Sequence, residues 1–307
     1  MINLELSWQQ AALAAGGVAV ATAALRLARK PRLAPVVLFA QESGLVLGLF
    51  ALWQYAGSFA VMGSGGAIGR SRWIWRFERA IHLPSETAVQ HFFLPHPPLV
   101  QFFNLYYDSL HFPVLIICMV WLFVRHRASY RQWRTTLVAL TGGCLLVQLI
   151  PVAPPRMLAG TGMVDTAVLY HQSVYSNVAG FDPDQLSAMP SVHVGWAILV
   201  AMAVISTTKG RWRWVAVLYP LMTTLAVVVT ANHFWLDAIV ASIILAIVLL
   251  VQDLSRRMLA SRASASGPIT ALSSGQPVII VDDDAQCLRE HRSDHRELAG
   301  ADDGAAQ

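Results

Sequence analysis

Two histidines carry most of the chemistry legible in this chain. His193 stands in Ser187-Ala188-Met189-Pro190-Ser191-Val192-His193, and His233 in Asn232-His233-Phe234-Trp235-Leu236-Asp237. Histidine changes charge close to neutral pH, which suits it to acid–base work. His233 and Asp237 are spaced i, i+4, so on a helix they share a face and can hydrogen-bond. Ser191 adds a hydroxyl beside Pro190, and Arg156, in Pro154-Pro155-Arg156, adds a permanent positive charge. Each residue alone has a plainer reading. A histidine at a helix end is commonly an interfacial polar contact, a His–Asp pair at this spacing recurs by chance, and an arginine can anchor at lipid headgroups. Ionisable groups near hydrocarbon are costly, roughly 2.5–3.5 kcal/mol at the bilayer centre, and are functional suspects for that reason. Their convergence on one face is what argues for a site.

A return trip through a bilayer would produce that convergence. Two apolar runs separate the histidines, joined by the basic turn Lys209-Gly210-Arg211-Trp212-Arg213. A chain that leaves His193, turns at Lys209 and returns to His233 brings both rings to the same membrane face. The composition supports this: 55% of the 307 residues are hydrophobic and 13% charged, against roughly 25% charged in soluble domains. Runs of about 20 apolar residues match a hydrocarbon core of roughly 30 Å. The expected fold class is all-α, a polytopic transmembrane helix bundle of about six to seven spans. The spans fall near 8–26, 36–57, 104–124, 135–150, 190–206, 213–231 and 233–252. Residues 1–69 would hold N-terminal transmembrane helices and 70–252 a catalytic membrane domain. Residues 253–307, rich in Ser, Ala, Gly, Asp and Arg, would form a disordered cytoplasmic tail.

The basic turns at 26–32, 125–134, 209–213 and 256–262 fall on one side of a seven-span chain, and the positive-inside rule makes that side cytoplasmic. Arg156, His193, His233 and Asp237 then lie at the outer face. Met1 to Ser7 carries Glu5 and no basic residue, unlike a secretory signal, which predicts an uncleaved first helix with its N-terminus outside. The net charge of +4 therefore reads as topology, and no nucleic-acid partner is expected.

Between Arg70 and Leu83, Trp73, Phe77, Ala80 and Ile81 share one helical face while Arg72, Arg76 and Arg79 share the opposite one. That pattern predicts a helix lying in the membrane interface, where anionic headgroups tolerate its arginines on the outer side. The third span opens with Tyr107, Asp108 and His111, candidates to line a cavity shared with the histidines, or else an interfacial aromatic belt. Cys118, Cys144 and Cys287 fit no ligand or disulfide spacing. No carboxylate cluster suited to Mg²⁺ occurs in the core, so neither metal nor cofactor is expected. Val278-Ile279-Ile280-Val281-Asp282-Asp283-Asp284 is similar to the first strand and acidic pocket of a response-regulator receiver, but such a domain needs about 100 further residues to build its core.

Pro190-Ser191-Val192-His193 resembles the Pro-Ser-x-His motif of the type 2 phosphatidic acid phosphatase superfamily. His233-x-x-x-Asp237 resembles its third motif and Pro154-Pro155-Arg156 the arginine end of its first, in the same order across about residues 70–252. The Pro-Pro-Arg and Asn-His-aromatic forms are most similar to the inositolphosphotransferase-like branch containing inositol phosphorylceramide synthases. The pattern is departed from at three places: Leu149 stands where phosphatases carry a lysine, Ala226-Val227 where they carry Ser-Arg, and Val192 where they usually carry glycine. The resemblance implies that His233 attacks phosphorus to form a phosphohistidine, a covalent strategy that divides a hard step in two. It implies that Asp237 holds the imidazole tautomer, that His193 protonates the leaving alkoxide and later deprotonates the acceptor, and that Arg156 and Ser191 hold the phosphate oxygens.

The partners implied are a membrane lipid phosphate and an acceptor, either water or a small alcohol, sugar or lipid hydroxyl. Water would make the protein a phosphatase. An alcohol would make it a transferase, the reading favoured by the missing cations and the Pro-Pro-Arg form. A transporter or scaffold of the same fold is the competing class. Transporters tend to show internal repeats and broken mid-membrane helices, whereas no repeat is evident here and the polar residues lie at span ends.

Overall fold

Where lipid offers the backbone no hydrogen-bond partner, a helix is the open-ended structure that satisfies every N–H and C=O within its own segment, and the apolar runs of this chain fold accordingly. The computed structural model describes residues 8–27, 31–60, 65–172 and 186–265. Its helices are α1 (Trp8–Leu27), α2 (Ala34–Ala60), α3 (Ala67–Ala80), α4 (Glu86–Phe93), α5 (Pro97–Ser109), α6 (His111–Arg125), α7 (Arg127–Gln148), α8 (Thr166–Leu169), α9 (Val192–Thr207), α10 (Leu218–Val229) and α11 (Trp235–Ala265). Extended pairing among the described residues is limited to a parallel bridge between Val152 and Ser187. The chain divides into a helical unit, Met1–Arg257, and a second unit, Met258–Gln307, whose described residues end at Ala265. Cys287, the Val278–Asp284 stretch and the rest of the expected tail lie outside the described residues.

Among the described residues, three segments are long and apolar enough to cross a membrane: Trp8–Leu27, Arg211–Val229 and Trp235–Arg262. The pair α5 and α6 makes a fourth if counted as one span bent by 50°. The expectation of six to seven full spans is therefore met only in part by length and composition. The third span is broken rather than straight, for a local reason: Pro113, in the first turn of α6, cannot donate to the Ser109 carbonyl and its ring crowds that carbonyl. The apolar helix α9 has 16 residues, or about 24 Å at 1.5 Å per residue, shorter than the hydrocarbon core. Helix α7 begins with Arg127, Arg131 and Arg134, too charged there to count as a span. At the other end of the chain α11 runs on to Ala265, beyond the boundary near 252 that composition suggested. An i, i+4 ion pair at 2.8 Å between Asp253 and Arg257 supports the extension, as does the bond from Arg256 to Gln132 Oε1 at 3.1 Å.

The main core lies between α6, α7, α9 and α11, with Leu122, Leu140, Cys144, Leu199 and Leu245 fully or almost fully buried in it. Gly143 lets α7 approach α11 closely: a Cβ there would stand 2.8 Å from Ile244 Cγ2. In the α1–α2 pair, Gly44 of α2 makes the close approach, its Cβ position lying 3.2 Å from Val18. The glycines of α1 meet nothing, although small residues on either helix would permit such contact.

Helix α3 has the amphipathic character read from the sequence. Trp73 and Phe77 stack with centroids 5.3 Å apart and remain exposed, as a membrane-facing pair must. The buried stripe is a third one, however: Ala67, Ser71, Ile74 and Glu78. Ser71 donates to the Ala153 carbonyl at 2.7 Å, and Arg70 Nε donates to the Pro151 carbonyl at 2.6 Å. These bonds tie α3 to the turn that carries Arg156.

Candidate active site

The turn from α10 to α11 is built from backbone bonds before any side chain contributes. The N–H groups of Asn232 and His233 both donate to the Val227 carbonyl, at 3.0 and 3.2 Å, and Ala231 donates to Val228 at 2.9 Å. Closing the helix this way puts Ala231 at φ +52°, a left-handed conformation that costs a residue with a Cβ roughly 1–2 kcal/mol. Strain of this kind concentrates at functional sites. The Ala231 carbonyl in turn receives the Arg156 N–H at 3.0 Å, so the first and third motif segments are joined by backbone.

His233 is buried, and its Nδ1 meets two oxygens, the Ala188 carbonyl at 2.6 Å and Asp237 Oδ2 at 3.3 Å. A carbonyl can only accept, so Nδ1 carries a proton, and in the neutral ring the lone pair is on Nε2. Asp237, fully buried, also receives the Phe234 N–H at 2.9 Å. The His–Asp pairing expected from the i, i+4 spacing is present, but the nearer partner is the Ala188 carbonyl. That contact is absent from any motif pattern, because it joins residues far apart in sequence.

His193 faces His233 with ring centroids 5.9 Å apart. Ser191 caps α9, its Oγ accepting from Val194 N at 3.4 Å while its own N–H donates to the Asp237 carbonyl at 3.1 Å. Its hydroxyl hydrogen remains available, and the N-terminal amides of α9 form an anion-favouring end. Arg156 is held by Asn232 Oδ1 through Nη1, and its Nε lies 3.1 Å from Asp165 Oδ2. Asp165 also caps α8, accepting from Val168 N at 3.0 Å. Sequence reading missed Asp165 because its loop carries no motif; Asn232 sat in the quoted stretch without a role.

The residues at the opening of the third span separate. Tyr107 lies 4.6 Å from the His193 ring and 6.3 Å from that of His233, and His111 lies 4.7 Å from His193. Asp108, by contrast, is exposed. The three departures from the phosphatase pattern also receive places. Val227 is fully buried with Val194, Val228 and Ala238, where an arginine would have to be desolvated. Leu149 is half-exposed at the end of α7, and Val192 is buried in the main core. Positions 227 and 149 thus belong to packing and to the outer surface.

Glu78 is the strongest feature outside the motifs. It is fully buried, and Oε1 accepts the Leu236 N–H at 2.7 Å, one residue before Asp237. Burial, followed by a hydrogen bond and charge repulsion from Glu86, pushes its pKa up to about 9, so Glu78 is neutral at pH 7. Glu86, also fully buried, pairs with Arg79 at 2.8 Å. A neutral acid therefore backs the N-terminus of α11 without adding charge behind the histidine. Among the described residues no three His, Cys, Asp or Glu side chains are grouped to hold a metal ion.

A family model described as the PAP2 superfamily matches residues 72–251. Those bounds take in α4 to α10, the C-terminal part of α3 from Arg72 and the part of α11 that carries Asp237. No curated protein and no solved structure matches the chain.

Proposed function

The chain belongs to the PAP2 superfamily of lipid-phosphate phosphatases and related enzymes, and from that premise we propose that it moves a phosphoryl group from a membrane lipid through a phosphohistidine on His233. The observation that carries this reading is the double restraint on His233 Nδ1, by the Ala188 carbonyl and Asp237, which makes Nε2 the nucleophilic nitrogen of the neutral ring. Nε2 attacks phosphorus, the alkoxide departs with a proton from His193, and Arg156 with Ser191 and the α9 amides holds the non-bridging oxygens. His193 then takes the proton of an acceptor hydroxyl as its oxygen attacks the phosphohistidine and the N–P bond breaks.

Two departures from the phosphatase pattern support an alcohol rather than water as acceptor: Val227 and Leu149 supply no cation, so the site suits a phosphodiester, which carries less charge than a monoester. The inositolphosphotransferase-like form of the motifs points the same way. The basic turns support a site at the outer face and a cytoplasmic C-terminal end. Incubating purified protein with phospholipid labelled at phosphorus, with and without inositol or a short alcohol, tests the reading. Label trapped on His233 and passed to the alcohol is the expected result. Release of inorganic phosphate alone would assign a phosphatase, and absence of label on His233 would overturn the covalent mechanism.

A further inference from the structure

A third histidine stands behind the pair. His111 opens α6, just past the bend from α5, and is only 2% exposed. Its ring meets that of His193 in a T-shape at 4.7 Å, and its Nδ1 lies 3.2 Å from the Tyr219 hydroxyl of α10. Two nitrogens remain. His111 Nε2 and His193 Nδ1 are both buried, and neither has a hydrogen-bond partner among the described residues. Leaving a buried polar group unpaired costs about 1–3 kcal/mol, so two such groups on neighbouring rings call for a joint explanation.

Resting on the phosphoryl-transfer reading above, we propose that His111 is the positioning residue of His193, accepting at its Nε2 the Nδ1–H of His193 when substrate tightens the site. The proton assignments are mutually consistent. His111 donates its Nδ1–H to the Tyr219 hydroxyl at 3.2 Å, so its Nε2 keeps a lone pair. His193 donates Nδ1–H to that lone pair, and in its charged form carries a second proton on Nε2. That nitrogen must deliver its proton to the leaving alkoxide, and in the neutral ring it is left unprotonated to take the acceptor's proton. Catalytic hydrogen bonds are commonly long or misaligned before substrate binds, and a small ring rotation turns the T-shaped contact into an N–H···N bond. Tyr106 extends the chain, its hydroxyl lying 3.0 Å from Thr223 Oγ1 and donating to the Tyr219 carbonyl at 3.4 Å. A neutral histidine would do for His193 what a carboxylate does elsewhere, fixing the tautomer, without a second negative charge beside an anionic substrate.

The test compares two phosphodiesters by single-turnover release of the leaving group. Dioleoyl phosphatidylinositol has an alkoxide leaving group that needs protonation, whereas bis(p-nitrophenyl) phosphate has one that departs unaided. His111→Phe should lower the single-turnover rate on the lipid by about 10- to 100-fold while changing that of the nitrophenyl ester by less than about threefold. His111→Gln, whose amide can donate to Tyr219 and accept from His193, should recover much of the loss. A purely structural role for His111 would lower both substrates together, and that result overturns the proposal. A readout independent of turnover is the ¹⁵N spectrum of histidine-labelled protein in detergent. His193 should keep a hydrogen-bonded proton on Nδ1 in both its charged and its neutral form, and His111→Phe should abolish that hydrogen-bond signature. An unprotonated His193 Nδ1 in the neutral ring, or a spectrum unaltered in the variant, also overturns the proposal. The predicted spectrum together with no cleavage of either ester would support the positioning contact while rejecting the phosphoryl-transfer reading.

Discussion

Glu78 offers a test of whether the site is supported by a neutral carboxylic acid. Removing it as Glu78→Ala leaves the Leu236 N–H without its 2.7 Å acceptor, and an orphaned buried donor costs about 1–3 kcal/mol. At about 2–4 °C per kcal/mol for a chain of this size, the melting temperature in detergent should fall by several degrees. Glu78→Gln retains an acceptor for Leu236 and mimics the protonated acid towards Glu86, so it should melt close to wild type near pH 5. The pH dependence separates the two explanations. Glu78 is raised from 4.5 to about 9 in the folded protein, so between those values the folded state holds a proton that the unfolded state has released. Stability contributed by this proton is complete below about pH 4.5 and is lost as pH rises towards 9. The difference in melting temperature between Glu78→Gln and wild type should therefore grow in favour of the glutamine variant from pH 5 to pH 9. Differential scanning fluorimetry across that range reads it directly. Equal slopes in the two proteins, or a glutamine variant as unstable at pH 5 as the alanine one, would refute the neutral-acid assignment.

Asp237→Asn should reduce kcat by about 10- to 100-fold, less than the roughly 10⁴-fold loss when a carboxylate alone fixes a catalytic tautomer, because the Ala188 carbonyl still holds His233 Nδ1; single-turnover kinetics would measure it. Asp165→Asn removes a carboxylate 3.1 Å from Arg156 and should lower KM for the lipid phosphate, whereas a higher KM would show that Asp165 orients the arginine. The two-histidine scheme needs a neutral His233 and a charged His193 at the same time, so kcat/KM should follow a bell-shaped pH profile, and a flat one with chemistry rate-limiting would reject it. Gly143→Ala sets a Cβ 2.8 Å from Ile244 and should cost about 1–3 kcal/mol in thermal unfolding. Gly195→Ala, whose Cβ would lie 3.4 Å from the tip of Leu140, should be neutral or stabilising.

The sequence by itself determined the elements and the chemistry carried on single segments. Apolar runs had to become helices in lipid, and the His233–Asp237 spacing put both side chains on one side of a turn. Tyr107 and His111 were legible as candidates because they open an apolar run. Local signals also decided the bend between α5 and α6, since Pro113 is visible in the sequence. Tertiary structure decided the rest. Which nitrogen of His233 is free depends on a carbonyl 45 residues away at Ala188. The neutral state of Glu78 depends on its burial and on Glu86 in the next helix, against the Leu236 N–H, which favours the charged form. The stripe of α3 that is buried was also settled by its neighbours, because a helix with arginine and tryptophan faces does not reveal which third face meets protein. Periodicity along a chain reports what each segment can present to its surroundings; partners supplied by other segments, and the desolvation that makes a carboxyl neutral, exist only once the helices have packed.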